Sequence, residues 1–497
     1  MNRFLPRSTV SLSTNRLMTY LRKTILVTSS IGLILISAAV VNAGGKQLPS
    51  PQNGPTEPDR TVVLSGTVVT PARILKKAWI VIKQGRLAQI SETAVSEPNA
   101  ILVNTDDLIF PGFIDLHNHP IFAAFSRWQD HPKFNNRYEW RSSPAYAEVV
   151  ERPARAIEHN EQGFCDLEEF AEVKAIIGGT TSLAGIMPRR PPNAAAPDCV
   201  SGLARKLGLK SGLYADGRER IQNVIGLTPR DMSEATAQEV KARLADGSLD
   251  LFLVHVAEGK ASDSESASEF SLLKAGGFLG PRTAIIHGVA LKKDDFREMH
   301  AAGTALIWSP RSNMELYGET ADVATAFREG VSIAVAPDWA PTGSDDMLDE
   351  LKYAASVSET SLNGLFSNRQ LFEMSTSIAA RVAGIDEKVG SLQVGLYADL
   401  FLLHRNTGYS TDRAFDRVIR SHPQNIDLVM VAGVPVYGSK ELIDKFHVPS
   451  EQLTVCGSRK ALNRDLLGSG SFSEVETRIK KEMSAYKVQP GEIADCK

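Results

Sequence analysis

The chain has no surplus of basic residues. Its 55 Lys and Arg face 58 Asp and Glu, a formal net charge of −3 at pH 7. A protein whose main partner is nucleic acid needs a basic surplus to neutralise phosphates, so that class is set aside. Cysteine is scarce, with only Cys165, Cys199, Cys456 and Cys496. None stands in CxxC spacing, which argues against a thiolate metal site. The 37 Gly and 25 Pro are too few for a collagen-like or low-complexity chain. There is no internal repeat at solenoid or propeller period. Beyond the N-terminal region, no apolar stretch is long enough to span a bilayer.

What is present starts with a targeting segment. Residues 1–43 carry Arg3, Arg7, Arg16, Arg22 and Lys23 and no acid. An apolar run from Ile25 to Val41 follows, then the small-residue boundary Val41-Asn42-Ala43 before Gly44. This is the order of a secretory signal, expected to be cleaved after Ala43 in a periplasmic or secreted protein. The alternative is an uncleaved anchor helix, the one way this chain would meet a membrane. Met18 is an alternative start. Removing five basic residues leaves 55 − 5 = 50 against 58 acids, a mature charge of −8. Export would place the cysteines in an oxidising compartment. Of the three pairings that four cysteines allow, Cys165–Cys199 with Cys456–Cys496 is preferred, against four unpaired thiols.

At about 150 residues per domain the length allows about three units, or one barrel of about 250 residues with additions. Residues 44–60 are polar and rich in Pro and Gly, and read as a linker. Residues 61–107 are strand-like and β-branched. Over 108–385, short apolar runs alternate with stretches of helical composition. The runs are Ile109–Leu116, Thr180–Ile186, Ser211–Ala215, Leu249–Ala257, Thr283–Val289, Ala305–Ser309 and Val331–Ala336. An eighth falls somewhere in Arg220–Leu227. Such alternation suits an α/β fold, a parallel (β/α)8 TIM-like barrel. Strand character returns over 386–437, which the simplest assembly pairs with 61–107 in one small β-sandwich domain. Residues 438–497 form a mixed, polar C-terminal extension with a helix over Ser473–Tyr486.

One stretch carries the most chemistry: Ile109-Phe-Pro-Gly-Phe-Ile-Asp-Leu-His117-Asn-His119. Strand side chains repeat every two residues, so both imidazoles face one way. Two converging neutral imidazoles are half of a metal site. Asp115 has the same parity and could brace an imidazole or lie near the metal. Three further apolar runs end in ionisable residues: His255 with Glu258 just beyond, His287, and Asp338. Each sits where barrel enzymes keep their catalytic groups. Alone, each is more often structural, a His bonded to a carbonyl or an Asp capping the next helix. Four such strand ends in this order favour a shared site.

The sequence resembles the amidohydrolase superfamily. The likeness rests on Pro111-Gly-Phe-Ile-Asp-Leu-His-Asn-His119, the later strand-end His, His and Asp, and Gly390-Ser-Leu-Gln-Val-Gly-Leu-Tyr-Ala-Asp399-Leu. It covers roughly residues 60–437. Within the superfamily the chain is most similar to the cytosine deaminase and triazine hydrolase branch, on His255-Val-Ala-Glu258 and Pro310-Arg-Ser-Asn313. The resemblance implies one divalent metal ion, most often zinc, with Fe or Mn as alternatives, held by His117, His119, His255 and Asp338. It implies that His287 serves the bound water or the substrate, though it could complete a second metal site. Lys210 precedes its strand, so no bridging Lys is evident and one ion is favoured.

From these roles a mechanism is expected. A divalent ion acidifies bound water. Asp338 would take part in catalysis as ligand and acceptor of a hydrogen bond from that water. Glu258 would carry a proton from the water to the leaving nitrogen, and His287 would polarise the accepting atom. Arg311, Asn313 and Trp339 are the candidate substrate-binding residues, with Asn313 otherwise a loop brace and Trp339 otherwise a packed loop residue. The insert over 120–160, with Trp128, Phe134, Tyr138 and Trp140, reads as a lid or pocket wall. Arg189 and Arg190 could bind an anionic substituent or be a solvated pair. Glu158 and His159 read as a helix face outside the site.

The expected function is an exported, metal-dependent hydrolase of a non-peptide C–N bond, most simply a deaminase of a cyclic amidine or heterocycle. The alternatives are an amide or dipeptide-like hydrolase on the same scaffold and a binding protein that has lost catalysis. The expected partner is a small-molecule substrate. A homo-oligomer is compatible with this reading, and the sequence does not set the oligomeric state.

Overall fold

The computed structural model describes residues 60–185, 202–208, 221–223, 228–405 and 413–496, with backbone alone for 221–223. The expected signal segment, nearly all of the expected linker, Arg189, Arg190, Cys199, Lys210 and the run at 211–215 lie outside the described residues.

Two sheet systems organise the described chain. The N-terminal side supplies β1 (Val62–Val69), β2 (Ile74–Lys83), β3 (Arg86–Ser91) and β4 (Ile101–Pro111). Eight parallel strands follow: β5 (Phe113–Asp115), β6 (Thr180–Leu183), β7 (Arg205–Lys206), β8 (Ile221–Asn223), β9 (Leu251–Val256), β10 (Thr283–His287), β11 (Ala305–Trp308) and β12 (Ile333–Val335). Five more return from the C-terminal side: β13 (Leu400–Leu403), β14 (Ile426–Val431), β15 (Val434–Ser439), β16 (Ser450–Val455) and β17 (Ser458–Asn463).

The parallel strands lie in two arcs, β5-β6-β7 and β8-β9-β10-β11-β12. An isolated parallel bridge between Asn118 and Asp338 joins the end of β5 to the end of β12. The fold is therefore α/β with mixed sheets, and the helices fall between the parallel strands as the alternation predicts. Strands such as β9 and β10 are buried along their whole length, with one side-chain set in each of two apolar clusters. Burial on both faces explains why they read as continuous apolar runs without polar alternation.

The expected run Ile109–Leu116 is divided between the two systems. Ile109–Pro111 pairs with β13 in the large sheet, whereas Phe113–Asp115 pairs with β6. Gly112 makes the switch possible: a Cβ there would lie 2.1 Å from Thr181 Oγ1. The strand β7 was not among the expected runs. Its Arg205 and Lys206 are charged yet buried, held by Asp399 and Glu172 respectively.

The terminal strands form one nine-stranded sheet, ordered β16-β17-β15-β14-β13-β4-β1-β2-β3. The expected sandwich is thus only partly matched. Both chain ends contribute, and one face gathers a sandwich-like cluster that includes Leu64, Ile80, Leu400, Leu402 and Met430. The strands are nonetheless hydrogen-bonded into a single sheet, because β4 pairs with β13 and bridges the two halves. β16 and β17, from the expected extension, continue that sheet through β15. The helix Phe472–Ala485 packs on the buried helix Glu161–Ile177, where Arg478 bonds both carboxylate oxygens of Asp166 at 2.8 Å. Cys456 is bonded to Cys496, the second of the preferred pairs, and Cys165 is also disulfide-bonded.

Candidate active site

The ends of β5, β9, β10 and β12 bring five ionisable side chains together. His117 Nε2 lies 3.2 Å from His119 Nε2, and each lies 3.2 Å from Asp338 Oδ1. The ring centroids of His255 and His287 are each 5.0 Å from that of His117 and 5.3 Å from each other. His117, His255, His287 and Asp338 are buried, and His119 is partly so.

Backbone geometry aims these groups. His287 and Asp338 both have φ of 70°, a left-handed conformation that a β-strand does not continue. Such conformations persist where the surroundings enforce them, often at functional sites. Here the Asp338 amide donates to the His117 carbonyl at 3.0 Å, and the amide of Gly288 donates to Val256 at 3.1 Å. Asp115 supports the first strand end. Its carboxylate accepts the His117 backbone amide at 3.0 Å and the Asn118 side-chain amide at 2.7 Å, so it braces the His117 backbone and not the imidazole. Burial pushes the Asp115 carboxyl up to about 8.

The electrostatics suit a cation. Burial lowers His117 and His255 well below the usual imidazole range, which keeps both rings neutral. Burial also opposes the charge on Asp338. The imidazoles around it, His117 first, outweigh that and hold its carboxyl well below the ordinary range. His117 Nδ1 is 3.1 Å from Ser309 Oγ, which directs Nε2 inward. The buried His255 Nδ1 has no hydrogen-bond partner among the described residues. Neutral imidazoles, an ionised carboxylate and an unpartnered ring nitrogen, converging in one place, are the donor set that a divalent ion takes.

Above this cluster is a cavity of about 230 Å³. Its walls include His119, His255, Glu258, His287, Asp338 and Trp339. Of the expected substrate-binding residues only Trp339 lines it. Arg311 turns away, with Nη2 bonded to Asp349 Oδ1 at 2.7 Å and the guanidinium over the Tyr353 ring. Asp349, on the helix Met347–Ser361 that follows β12, captures it, so Arg311 reads as a brace. Asn313 also lies outside the lining, and its Oδ1 is 2.8 Å from His287 Nδ1.

Two contributors, Arg137 and Tyr317, escaped the sequence reading, and Trp140 was expected only as part of a lid or pocket wall, which it is. Arg137 is buried, with Nη1 3.3 Å from Glu258 Oε2. Tyr317 donates its hydroxyl to Glu258 Oε1 at 2.8 Å, and Trp140 Nε1 donates to that hydroxyl at 2.8 Å. No periodicity or motif marks Arg137 or Tyr317; tertiary structure alone assembles them. Glu158, read as outside the site, lines the cavity together with Glu151 and Arg155, one turn apart on the same helical segment. His159 bonds the carbonyl of Arg155 and stays outside.

Residues 232–436 match the Amidohydrolase family model. Among curated relatives, the 5'-deoxyadenosine deaminase of Methanothermobacter thermautotrophicus is 22% identical over 373 residues, covering 71% of this chain and 87% of that protein. The 5-methylthioadenosine/S-adenosylhomocysteine deaminase of Thermococcus kodakarensis is 25% identical over 353 residues, covering 66% and 82%. Among solved structures, an adenosine deaminase from Xanthomonas campestris with bound zinc aligns with a TM-score of 0.65 at 16% identity, over 87% of this chain and all of that one. The guanine deaminase of Bradyrhizobium japonicum aligns with a TM-score of 0.60 at 17% identity, over 77% and 100%. The expectation of a hydrolase acting on carbon–nitrogen bonds other than peptide bonds holds.

Proposed function

We propose that this chain is a metal-dependent deaminase of a planar nitrogen heterocycle. The observation that carries this reading is the position of Glu258. Its Oε2 lies 3.7 Å from His287 Nε2, on a cavity wall shared with His119, His255 and Asp338. A buried carboxylate beside an imidazole, facing a metal-donor cluster, suits carrying a proton from water to a leaving nitrogen.

His117, His119, His255 and Asp338 would hold one divalent ion, zinc before Fe or Mn. When bound, that ion supplies Lewis acidity and a water that ionises near neutral pH. The side chains do the rest. Glu258 accepts a proton on the cavity side and returns it to the departing amine. His287 keeps its Nδ1 proton on Asn313 Oδ1, so in the neutral ring Nε2 carries the lone pair. It therefore orients water as an acceptor first, and donates to a developing anion only after taking up a proton. Trp339, Trp140, Tyr146 and Phe122 give the cavity an aromatic wall, to which a flat ring is complementary. In the same reading the eight parallel strands form one (β/α)8 barrel across the Asn118–Asp338 bridge. Residues 1–43 are removed after Ala43 on export, which an intact mass beginning at Gly44 would support.

The test is ammonia release by purified, metal-replete protein from adenosine, 5'-deoxyadenosine, 5-methylthioadenosine, S-adenosylhomocysteine and guanine, with N-acyl amino acids alongside. Ammonia from a heterocycle is the expected result. Turnover of the N-acyl compounds alone would replace deamination by amide hydrolysis. Glu258→Gln should keep its metal and lose most turnover; undiminished turnover would reject the proton-carrying role.

A further inference from the structure

The insert after β5 is pinned to the turn that carries Glu258. The amide of Lys260 donates to the Asn135 carbonyl at 2.7 Å, and the amide of Arg137 donates to the Glu258 carbonyl at 3.1 Å. Asn136 and Gly259 form an antiparallel bridge between them. The approach is close enough that a Cβ on Gly259 would lie 2.7 Å from the Asn135 carbonyl oxygen. Asn136 then caps the helix Arg137–Arg141 by accepting the Glu139 amide at 3.0 Å, which fixes where Arg137 and Trp140 project.

Both oxygens of Glu258 are thereby spoken for on the protein side. Oε2 faces Arg137 Nη1 at 3.3 Å, and Oε1 accepts the Tyr317 hydroxyl at 2.8 Å. Tyr317 is itself held by Trp140 from the same short helix. The side chains of Arg137 and Glu258 are 4% and 3% exposed, so little water competes for either. A carboxylate that must move a proton needs one rotamer. An ion pair to a guanidinium on one oxygen and a hydrogen bond from a phenol on the other provide it.

We infer that Arg137 and Tyr317 are positioning residues for Glu258, delivered by the β5 insert, which serves the proton-transfer machinery and is not a free lid. This rests on the proton-carrying role proposed above for Glu258. Arg137 also lines the cavity, where its guanidinium is ion-paired to Glu258.

A double-mutant cycle on ammonia release separates the two claims, using whichever of adenosine, 5'-deoxyadenosine or guanine the wild type turns over fastest. Arg137→Gln is expected to lower kcat by about 10²-fold, with KM changed less than about threefold. Tyr317→Phe should lower it by about tenfold, and Arg137→Lys should recover part of the loss. In the Glu258→Gln background either change should cost less than about threefold more. Full additivity, or a loss confined to KM, would overturn the positioning role while leaving Glu258's own role intact. Undiminished turnover in Glu258→Gln alone would instead remove the reading on which it rests. Crystal structures of Tyr317→Phe and Arg137→Lys need no substrate: the Glu258 carboxylate should leave its present position in at least one, and an unmoved carboxylate in both would count against the inference. If Arg137→Gln does not fold, Tyr317→Phe, which removes a single hydroxyl, carries the cycle.

Discussion

Asn313 Oδ1 lies 2.8 Å from His287 Nδ1, and its Nδ2 donates to Thr320 Oγ1 at 3.3 Å. The second bond fixes which end of the amide faces the imidazole, so Asn313 assigns the His287 tautomer. Asn313→Leu removes that acceptor and lets the ring rotate or exchange its proton between nitrogens. Turnover is expected to fall by about 10–100-fold, the usual cost of losing an orienting partner. Metal content should not change, since Asn313 touches none of the proposed ligands. Steady-state ammonia release together with elemental analysis checks both; an unaltered kcat would show that the tautomer does not matter.

Metal removal tests the donor cluster itself. Purified protein is expected to hold about one equivalent of a divalent ion, and His117→Ala to hold much less. His117 stands at the centre of the cluster, within 3.2 Å of both His119 Nε2 and Asp338 Oδ1. Chelation of the wild type should abolish turnover, and zinc should restore it. Equal metal in wild type and variant would dismiss the assignment.

The site was legible where it lies on strands. His117, His119, His255, His287 and Asp338 each follow an apolar run, and strand periodicity says which way neighbouring side chains point. The division of Ile109–Leu116 was not legible, because β4 and β5 are both apolar and only Gly112 separates them. Arg137 and Tyr317 were invisible for a different reason. Arg137 reaches Glu258 through pairing of residues 135–137 with 258–260, a contact across more than 100 positions with no local pattern, and Tyr317 reaches it from the helix Pro310–Tyr317. Arg311 was expected to read substrate, and the partner it meets in the structure is one that sequence spacing does not reveal, the Asp349 carboxylate one strand further on.

Glu169 couples the C-terminal segment to pH. It is buried in the helix Glu161–Ile177, and its Oε2 accepts the amides of Gly468 and Ser469 at 2.8 and 2.6 Å. Burial pushes its carboxyl up to about 7, although those bonds pull the other way. A group raised in the folded state stabilises fully below its unfolded pKa of about 4.5, and that contribution is lost as pH rises through about 7. Glu169→Gln stays neutral throughout. Relative to the wild type it should therefore gain stability between pH 5 and pH 8, by up to about 1.4 kcal/mol per pH unit. Paired urea titrations at the two pH values measure this, and a difference independent of pH would reject it.

The tail closes on the site's first loop. Gly491 donates its amide to the Ala124 carbonyl at 2.7 Å, and Pro490 bridges Phe125, just beyond the cavity-lining Phe122. The disulfide between Cys456 and Cys496 ties that tail to the β16–β17 hairpin across 40 residues. Cys496→Ser is expected to cost about 2–4 kcal/mol, the usual range for closing a loop of that length. Thermal melts of the variant with and without reductant read the loss, and the variant should no longer respond at this bond. An unchanged melting temperature in Cys496→Ser would mean that the tail holds without its covalent tie.

By contrast, Arg311→Ala should weaken the fold and spare recognition. Arg311 and Arg127 share the Asp349 carboxylate, one on each oxygen, at 2.7 and 3.2 Å. Arg127 also donates to the Gly343 carbonyl, so the trio ties together the segments that follow β5, β11 and β12. Losing one charged hydrogen bond while the other remains should cost about 1.5–3 kcal/mol. KM should stay within about twofold of the wild type, because the guanidinium does not reach the cavity. Urea titration and steady-state kinetics on the same preparation separate the two effects. A large rise in KM without loss of stability would restore Arg311 to the substrate-binding set.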